Sequence, residues 1–212
     1  MRQAARHRLS ERELHEYVAD VETHGDQLTG VVGFFNRRVR NHVLQRVGEV
    51  NGRDLLEVGC GEGQMFAGTT IRPVQVDVSM TRLRRVASPG RSLICADGYA
   101  LPFCSESFRL VLLAAVLEHT LEPWRILAEA RRVLKPGGAV VIVVPNDVTM
   151  SAGRFVLRKF PIRYPDHLTF TTPGRMRRWL ADGFRVRESF HLPLRHLPFA
   201  VNLYHVVVAE RV

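Results

Sequence analysis

Residues 54–63 read DLLEVGCGEG, and this stretch decides the fold. An apolar run ends at Glu57 and is followed by Gly59, Gly61 and Gly63, after which we expect a helix. Glycines let the backbone turn tightly and let a ligand approach where a Cβ would block it. In open α/β sheets, ligands lie beyond the carboxyl ends of the strands, which is where this turn falls. The stretch therefore predicts the first strand of an α/β domain with a ligand site at its end.

The spacing of these glycines, GxGxG, bears on the identity of the ligand. The dinucleotide fingerprint is GxGxxG, in which a helix N-terminus holds a pyrophosphate. The observed spacing disfavours a nicotinamide cofactor but suits several other nucleotide-binding folds. The glycine turn by itself is therefore only weak evidence for a particular ligand.

Two further acids stand at the ends of the next two predicted strands. Asp77 closes the run 74–77, where a carboxylate can accept hydrogen bonds from both hydroxyls of a ribose. Asp97 follows the run 92–95, where it can accept a hydrogen bond from the exocyclic amine of an adenine. Either acid alone could be a turn or capping residue. Together with Glu57 they suit a cationic nucleoside without phosphates, and they would repel a pyrophosphate.

The order of apolar runs and helical patterns predicts the domain organisation. Strands alternate with helices from residue 54 onward, which indicates a parallel sheet with right-handed crossovers. We expect an N-terminal helical lid at 1–50 and one domain at 51–212, with an insertion at 147–172 on the substrate side. The predicted strands are 54–58, 74–77, 92–95, 109–115, 139–144, 184–190 and 201–210, and the predicted helices are 11–22, one that includes 31–43, 122–134 and one near 174–181.

Length and composition narrow the class of protein. With 212 residues, 46% of them hydrophobic, the chain can bury one core. It has no apolar run near the roughly 20 residues that cross a bilayer and no secretory signal, so we expect a cytoplasmic protein, a monomer or a homodimer. Cys60, Cys95 and Cys104 form no CxxC pair, and we expect reduced thiols and no metal site.

The net charge of +9 is concentrated towards the C-terminus. Residues 151–212 hold 11 Lys/Arg against 4 Asp/Glu, which argues against a uniformly basic nucleic-acid-binding protein and for a basic patch. In the insertion, Arg154, Arg158, Lys159 and Arg163 stand among apolar residues. This mixture suits an anionic small molecule, an RNA or a membrane surface, and it equally suits a solvated helix face.

Five segments in consecutive order carry a family resemblance: DLLEVGCGEG, VDVS at 76–79, CADGYALPFCSESF at 95–108, LLAAVLEHT at 112–120 and RRVLKPGGAVVIVVPN at 131–146. This chain resembles the class I S-adenosylmethionine-dependent methyltransferases of the small-molecule type, which include the methyltransferase type 11 and quinone-biosynthesis-like enzymes. The resemblance implies a Rossmann-like α/β fold with helices on both faces of a seven-stranded, mostly parallel sheet whose last strand is antiparallel. It also implies S-adenosylmethionine as methyl donor and S-adenosylhomocysteine as product.

The resemblance assigns the cofactor contacts to residues at the strand ends. The chain departs from the family at Arg109, where Asp is usual, and at Ala115, where a polar residue is frequent. The segment from Gly63 to Asp77 is also short, but every cofactor acid is kept. The implied cofactor contacts are Glu57, Gly59, Cys60, Gly61, Gly63, Asp77, Val78, Asp97, Gly98 and Ala114.

Methyl transfer from a sulfonium is an in-line displacement with an activated leaving group, so the protein mainly aligns the reactants and excludes water. A base is needed only where the acceptor must lose a proton. His119, just beyond the fourth strand, is the candidate base by analogy, and it could equally pack against or cap the helix at 122–134. The other residues expected on the substrate side are Tyr17, Glu118, Asn146, Arg158, Tyr164 and His167.

Three functions remain open at this point. The first is methyl transfer to O, N or C of a small-molecule acceptor that is anionic or lipid-like. The second is an RNA or protein methyltransferase; the near-neutral charge of the first 150 residues and the lack of an NPPY-like tetrad, where LLAAVLEH stands, argue against it. The third is a cofactor-binding module without transferase activity, since lost catalysis could leave the glycine turn intact.

Overall fold

The structure is a computed structural model, and it describes residues 30–48, 50, 52–156, 158 and 166–212. The predicted helix at 11–22, and the predicted substrate-side residues Tyr17 and Tyr164, lie outside the described residues. Among the helices that are described, none is long and apolar enough to cross a membrane.

Seven strands of the described chain form one sheet in the order β3-β2-β1-β4-β5-β7-β6. The first five pair in parallel, and β7 is antiparallel to both β5 and β6. The predicted seven-stranded, mostly parallel sheet with an antiparallel last strand is confirmed. The strands are β1 (Leu55–Val58), β2 (Val74–Asp77), β3 (Ser92–Cys95), β4 (Phe108–Ala114), β5 (Leu134–Pro145), β6 (Phe184–Leu192) and β7 (Tyr204–Arg211).

Helices cover both faces of this sheet, as predicted. One core cluster joins α3 and α5 to one face, and a second joins α1 to the other. The predicted helix at 122–134 is confirmed as α3, which has Pro123 in its first turn, where a missing backbone N–H costs nothing. The helices are α1 (Gly30–Val47), α2 (Met80–Val86), α3 (Pro123–Val133), α4 (Asp147–Val156) and α5 (Pro173–Leu180).

The central strands are buried on both faces, and their residues alternate between the two core clusters. In β1, Leu56 packs on the α3 side, whereas Leu55 packs on the α1 side. This is the burial expected for parallel strands between two layers of helices, and it explains why these strands read as continuous apolar runs. The apolar side chains of the strands therefore pack in the core, and polar side chains occur at the strand ends.

Helix α1 belongs to the core. Val39, Val43 and Val47, spaced by four, are buried against the sheet, and the Arg40 guanidinium donates hydrogen bonds to the backbone carbonyl oxygen of Met65 at 2.8 Å and of Gln64 at 3.1 Å. A lid role within 1–50 therefore falls to the residues before α1, which lie outside the described residues, and it stays a prediction.

The helix that we expected after the glycine turn is absent, and this prediction was wrong. The segment from 61 to 70 forms turns. Its glycines Gly61, Gly63 and Gly68 all have positive φ angles, which a right-handed helix does not allow. The buried Phe66 joins the segment to the core beside α1. Helix α1, which comes before β1 in the chain, covers the face of the sheet beside this segment.

Candidate active site

A pocket of about 680 Å³, counting space that is open to solvent, lies at the carboxyl ends of β1, β2 and β4. Open α/β sheets bind their ligands at this end of their strands. Most of its lining side chains are apolar, and its charged groups are few. The lining residues are Val58, Gly59, Val76, Asp77, Val78, Arg82, Ala96, Asp97, Gly98, Tyr99, Ala115, Val116, His119, Thr120 and Ile126.

The buried Asp77 carboxylate fastens the glycine turn to the end of β2. Its Oδ2 accepts a hydrogen bond from the Gly61 N–H at 2.7 Å, and its Oδ1 accepts one from the Ser79 N–H at 2.9 Å. The Gly59 N–H donates to the Val76 carbonyl at 2.7 Å, so backbone bonds hold the same turn. Since each carboxylate oxygen accepts more than one hydrogen bond, Asp77 retains capacity for a ligand hydroxyl.

Two glycines keep the pocket open as a narrow slot. Gly59 has a φ of +71°, and a Cβ there would lie 2.5 Å from Cγ2 of Val116. A Cβ on Gly98 would lie 2.9 Å from Cδ1 of Ile126 and 3.3 Å from Cγ1 of Val58. Val116, Ile126 and Val58 all line the pocket. The apolar walls of the slot can therefore come close together only where these two positions lack a side chain.

Glu57 lies beneath the turn. It is 2% exposed, and its Oε2 accepts a hydrogen bond from the Gln75 amide at 2.6 Å. Burial raises the pKa of Glu57 to about 7, although the Gln75 hydrogen bond and the Arg91 charge oppose this rise. A cationic group near the turn would favour the ionised form of this carboxylate.

Asp97 and Tyr99 form the wall of the slot beyond β3. The Asp97 Oδ1 accepts a hydrogen bond from the Tyr99 N–H at 2.9 Å, which fixes the loop between them. The Tyr99 hydroxyl accepts a hydrogen bond from the Glu122 N–H at 3.2 Å, and the Arg125 guanidinium lies 5.0 Å from the centre of its ring. The aromatic face of Tyr99 is thus held at the pocket.

A second group of polar side chains lies beside the slot. His119 ends a short 3-10 helix, Leu117–His119, and its Nδ1 lies 3.1 Å from the backbone oxygen of Asp166 and 3.3 Å from the carboxylate Oδ2 of the same residue. The His167 ring meets the His119 ring edge to face, with 5.0 Å between the ring centres. The Nδ1 of His167 is hydrogen-bonded to the Asp147 carboxylate.

Two members of this group have shifted pKa values. Burial lowers the pKa of His167, but the hydrogen bond to Asp147 and the charge of Glu118 outweigh it and raise that pKa above its ordinary value. Glu118 is 1% exposed, and burial raises its pKa to about 8. Glu118, His119 and His167, all predicted on the substrate side or as the base, are therefore brought together in one cluster.

Comparisons with known proteins agree with this geometry. Residues 56–142 match a family model described as a methyltransferase domain. A demethylmenaquinone methyltransferase from Renibacterium salmoninarum is 33% identical over 132 residues, which are 60% of this chain and 56% of that protein. The matched domain, the named relatives and the fold together support a class I S-adenosylmethionine-dependent methyltransferase. It spans about half the length of the curated relatives that it matches.

Solved structures share the fold of this chain. A [4+2]-cyclase, SpnF, superposes with a TM-score of 0.65 and 21% identity, over 82% of this chain and 80% of that one. A SAM dependent methyltransferase from Archaeoglobus fulgidus superposes with a TM-score of 0.61 and 17% identity, over 82% of this chain and 94% of that one. Methyltransferases of this class use S-adenosylmethionine as cofactor, as the sequence resemblance implied.

The predicted cofactor contacts fall into three groups. Ala114 packs with the α1-side core cluster, while Ala115 and Val116 line the pocket in its place. Glu57, Cys60, Gly61 and Gly63 form the turn and its support behind the lining, and burial raises the pKa of the Cys60 thiol, so this thiol stays protonated. The predicted contacts that line the pocket are Gly59, Asp77, Val78, Asp97 and Gly98.

The remaining substrate-side predictions have different surroundings. Asn146 is fully buried and its side-chain amide donates hydrogen bonds to the carbonyl oxygens of Phe199 at 2.7 Å and Asn202 at 2.9 Å. Its Oδ1 accepts hydrogen bonds from the first turn of α4, so Asn146 caps that helix, and we leave it out of the proposed substrate contacts. Arg158 is exposed beyond the end of α4.

Sequence reasoning missed three polar lining residues of the pocket, Arg82, Tyr99 and Thr120, of which Thr120 directly follows the predicted base His119. A signal for each is present in the sequence. Tyr99 comes two residues after the strand-end Asp97, and Arg82 lies in the first turn of α2, which Ser79 caps by accepting a hydrogen bond from the Arg82 N–H at 3.2 Å. Arg82 and Tyr99 therefore follow strand ends that had already been assigned to the site.

Proposed function

We propose that this protein transfers a methyl group from S-adenosylmethionine to O, N or C of a small-molecule acceptor, and that the acceptor is lipid-like or anionic. The observation that carries the proposal is that Asp77, Asp97 and His119 line one pocket. Asp77 and Asp97 would hold the nucleoside of the cofactor in the pocket that His119 lines.

The residues present fit the cofactor. The slot between Val58, Val116 and Ile126 is apolar and is kept narrow by Gly59 and Gly98, which suits a flat adenine ring. Carboxylates are acceptors only, so Asp77 and Asp97 match the hydroxyls of a ribose and the amine of an adenine. The buried carboxylate of Glu57 below the turn matches a cationic ammonium group. The donor and acceptor set thus fits a cationic nucleoside.

When bound, the cofactor would supply a methyl group attached to a sulfonium sulfur, and transfer of that methyl group would leave a neutral thioether. The protein then has to orient the acceptor and exclude water. His119 lies on the pocket wall, and Asp166 holds its Nδ1, so the ring is oriented as in other carboxylate–histidine pairs. In the simplest mechanism His119 takes the proton of an acceptor O–H or N–H.

The acceptor side of the pocket supports a lipid-like molecule. Helix α4 begins at Asp147, which contacts His167 in the cluster, and exposes the apolar side chains of Val148, Phe155 and Val156. Arg154 stands on the same helix, and apolar side chains beside basic ones are typical of helices that contact lipid surfaces. The name of the relative from Renibacterium, a demethylmenaquinone methyltransferase, points to the same class of acceptor.

Two measurements test the proposed function. Calorimetry with S-adenosylmethionine should show saturable binding. A methyl-release assay on demethylated quinols, hydroxylated lipids, small aromatic acids and RNA should then show turnover on one of the first three. Turnover on RNA alone would support the second function, and tight binding without turnover on any acceptor would support a cofactor-binding module. Localisation in the cytoplasm and a monomeric or homodimeric state stay predictions.

A further inference from the structure

The cluster beside the cofactor slot has the spacing of a cation site. Glu118, His119 and His167 each offer one ligand atom, and these three atoms all lie within 4.8 Å of one another. The two imidazole planes are nearly perpendicular, at 86°, and the ring centres are 5.0 Å apart. The rings therefore do not stack, and each can present an edge to a shared point.

Glu118 supplies an independent observation. It is almost completely buried, and neither of its carboxylate oxygens has a hydrogen-bond partner within the described part of the chain. Buried carboxylates are rarely tolerated unless they are paired, hydrogen-bonded or coordinated to a metal. A cation at the cluster would bind one of these oxygens and compensate the buried charge.

The two histidines are oriented as metal ligands usually are. The Nδ1 of His119 meets the backbone oxygen and the carboxylate of Asp166, and the Nδ1 of His167 meets the carboxylate of Asp147. Metal-binding histidines nearly always donate their other ring N–H to a carboxylate or a carbonyl, which fixes the tautomer and the ring. With Nδ1 used in this way, Nε2 of each ring would be the atom that binds a cation.

We propose that Glu118, His119 and His167 bind a divalent transition-metal cation, and that Zn²⁺ is the best match. Two histidines and one glutamate form a known set of catalytic zinc ligands. Movements of roughly 1 Å would bring the three atoms to the spacing of ligands around one such ion. Three protein ligands leave a coordination position open in a tetrahedral site, and His119 connects the cluster to the pocket.

The chemical use of the site rests on the proposed function, although cation binding itself does not. A cation beside an acceptor hydroxyl lowers the pKa of that hydroxyl, so its proton leaves to water. The oxygen lone pair then forms the new bond to the methyl carbon as the bond from carbon to sulfur breaks and the sulfonium becomes a neutral thioether. In this arrangement His119 holds the cation instead of taking the proton.

Cobalt binding tests the site without any acceptor. The full chain, stripped with a chelator, is titrated with Co²⁺, and the visible absorption of the coordinated ion is followed; Zn²⁺ is then added as competitor. We expect saturable binding of one ion that Zn²⁺ displaces. Glu118→Gln and His167→Gln should each weaken binding by at least 100-fold, and Asp147→Asn by about 10- to 100-fold, the usual effect of losing a partner of a metal-binding histidine.

The control is His196→Gln, at an exposed position outside the cluster, which should bind Co²⁺ as the wild type does. Circular dichroism tests whether each variant is folded. If either Glu118→Gln or His167→Gln is unfolded, the Co²⁺ affinity of the other variant tests the site. Absence of saturable Co²⁺ binding in the wild type, or unchanged binding in a folded ligand variant, overturns the site. Calorimetry with S-adenosylmethionine on the same samples separates this failure from a failure of the proposed function, because Glu118→Gln should leave cofactor affinity unchanged.

Discussion

The Asp77 carboxylate accepts a hydrogen bond from the Gly61 backbone N–H at 2.7 Å, across 16 residues of sequence. This bond joins the turn after β1 to the end of β2. The same carboxylate accepts a hydrogen bond from Ser79, which caps α2. One side chain therefore orients the glycine turn, the start of the next helix and, in the proposed function, the ribose of the cofactor.

Replacing Asp77 should weaken cofactor binding. For Asp77→Ala we expect a loss of about 1.5 to 3 kcal/mol, or roughly tenfold to over a hundredfold in affinity, because hydrogen bonds to a charged group are lost. Calorimetry with S-adenosylmethionine measures it. Asp182→Ala is the control, since Asp182 is exposed and precedes β6 at the opposite edge of the sheet. An unchanged dissociation constant for Asp77→Ala would remove Asp77 from the site.

Two glycines of the turn, Gly59 and Gly61, provide a matched pair. A Cβ on Gly59 meets Val116 at 2.5 Å, whereas a Cβ on Gly61 meets nothing within 4 Å, and both residues have positive φ. Gly61→Ala should lower the free energy of unfolding by about 1 to 2 kcal/mol, because alanine disfavours the left-handed backbone conformation. Gly59→Ala should lower it by about 1 to 3 kcal/mol more, because the added methyl group also overpacks against Val116. Urea unfolding measures both.

Adding Val116→Ala to Gly59→Ala tests the cause of the larger effect. Removal of the two Val116 methyl groups should restore part of the lost stability, so the two changes should couple favourably in a double-mutant cycle. Additive effects would show that Val116 is not the obstacle.

His119 should matter for turnover and not for cofactor binding. We expect His119→Gln to leave the dissociation constant of S-adenosylmethionine unchanged and to slow methyl transfer by about 10² to 10⁴. Single-turnover rates on the acceptor found in the screen measure this effect. Equal rates in the variant and the wild type would reduce His119 to a packing residue.

Asn146 should be a stability residue. Asn146→Ala removes the side-chain hydrogen bonds to the carbonyl oxygens of Phe199 and Asn202 and the cap of α4, so we expect a loss of about 2 to 4 kcal/mol in the free energy of unfolding. Chemical denaturation measures it, and kcat/KM of the folded fraction should stay within a few-fold of wild type. A stable variant with a large rise in KM would instead return Asn146 to the acceptor site.

The buried His205 should make stability depend on pH. Burial lowers its pKa to about 4, and its Nε2 lies 2.9 Å from the Ser189 hydroxyl. Above about pH 6.5 the ring is neutral in both the folded and the unfolded chain, so it contributes no pH dependence. As pH falls from about 6.5 to about 4, the unfolded chain binds a proton that the folded chain rejects, and stability falls.

The expected size of this loss is about 2 to 3 kcal/mol between about pH 7 and pH 4.5. Since carboxylates titrate in the same range, the measurement is the difference in unfolding free energy between wild type and His205→Gln at the two pH values. His196→Gln, at an exposed position, is the control. The same pH dependence in His205→Gln and wild type would contradict the assignment.

Much of the fold and part of the site could be predicted because their signals are local. Strands buried on both faces must be apolar along their whole length, so β1, β2 and β4 stand out as short apolar runs. Asp77 and Asp97 stand out because they interrupt or follow such runs. The helix predicted after the glycine turn failed because three positive φ angles and the packing of α1 outweigh local helix propensity.

The sequence by itself determined the sheet, the glycine turn and the strand-end acids, because periodic burial and glycine conformation act between near neighbours. Only the tertiary structure decided which side chains meet beyond the slot. Glu118 and His119 are adjacent in the chain, but His119 and Asp166 are 47 residues apart, and His167 and Asp147 are 20 apart. Contacts between residues so far apart produce no periodic pattern in the sequence. They depend on how the ends of β4 and β5 and the segment after α4 come together at the carboxyl ends of the strands.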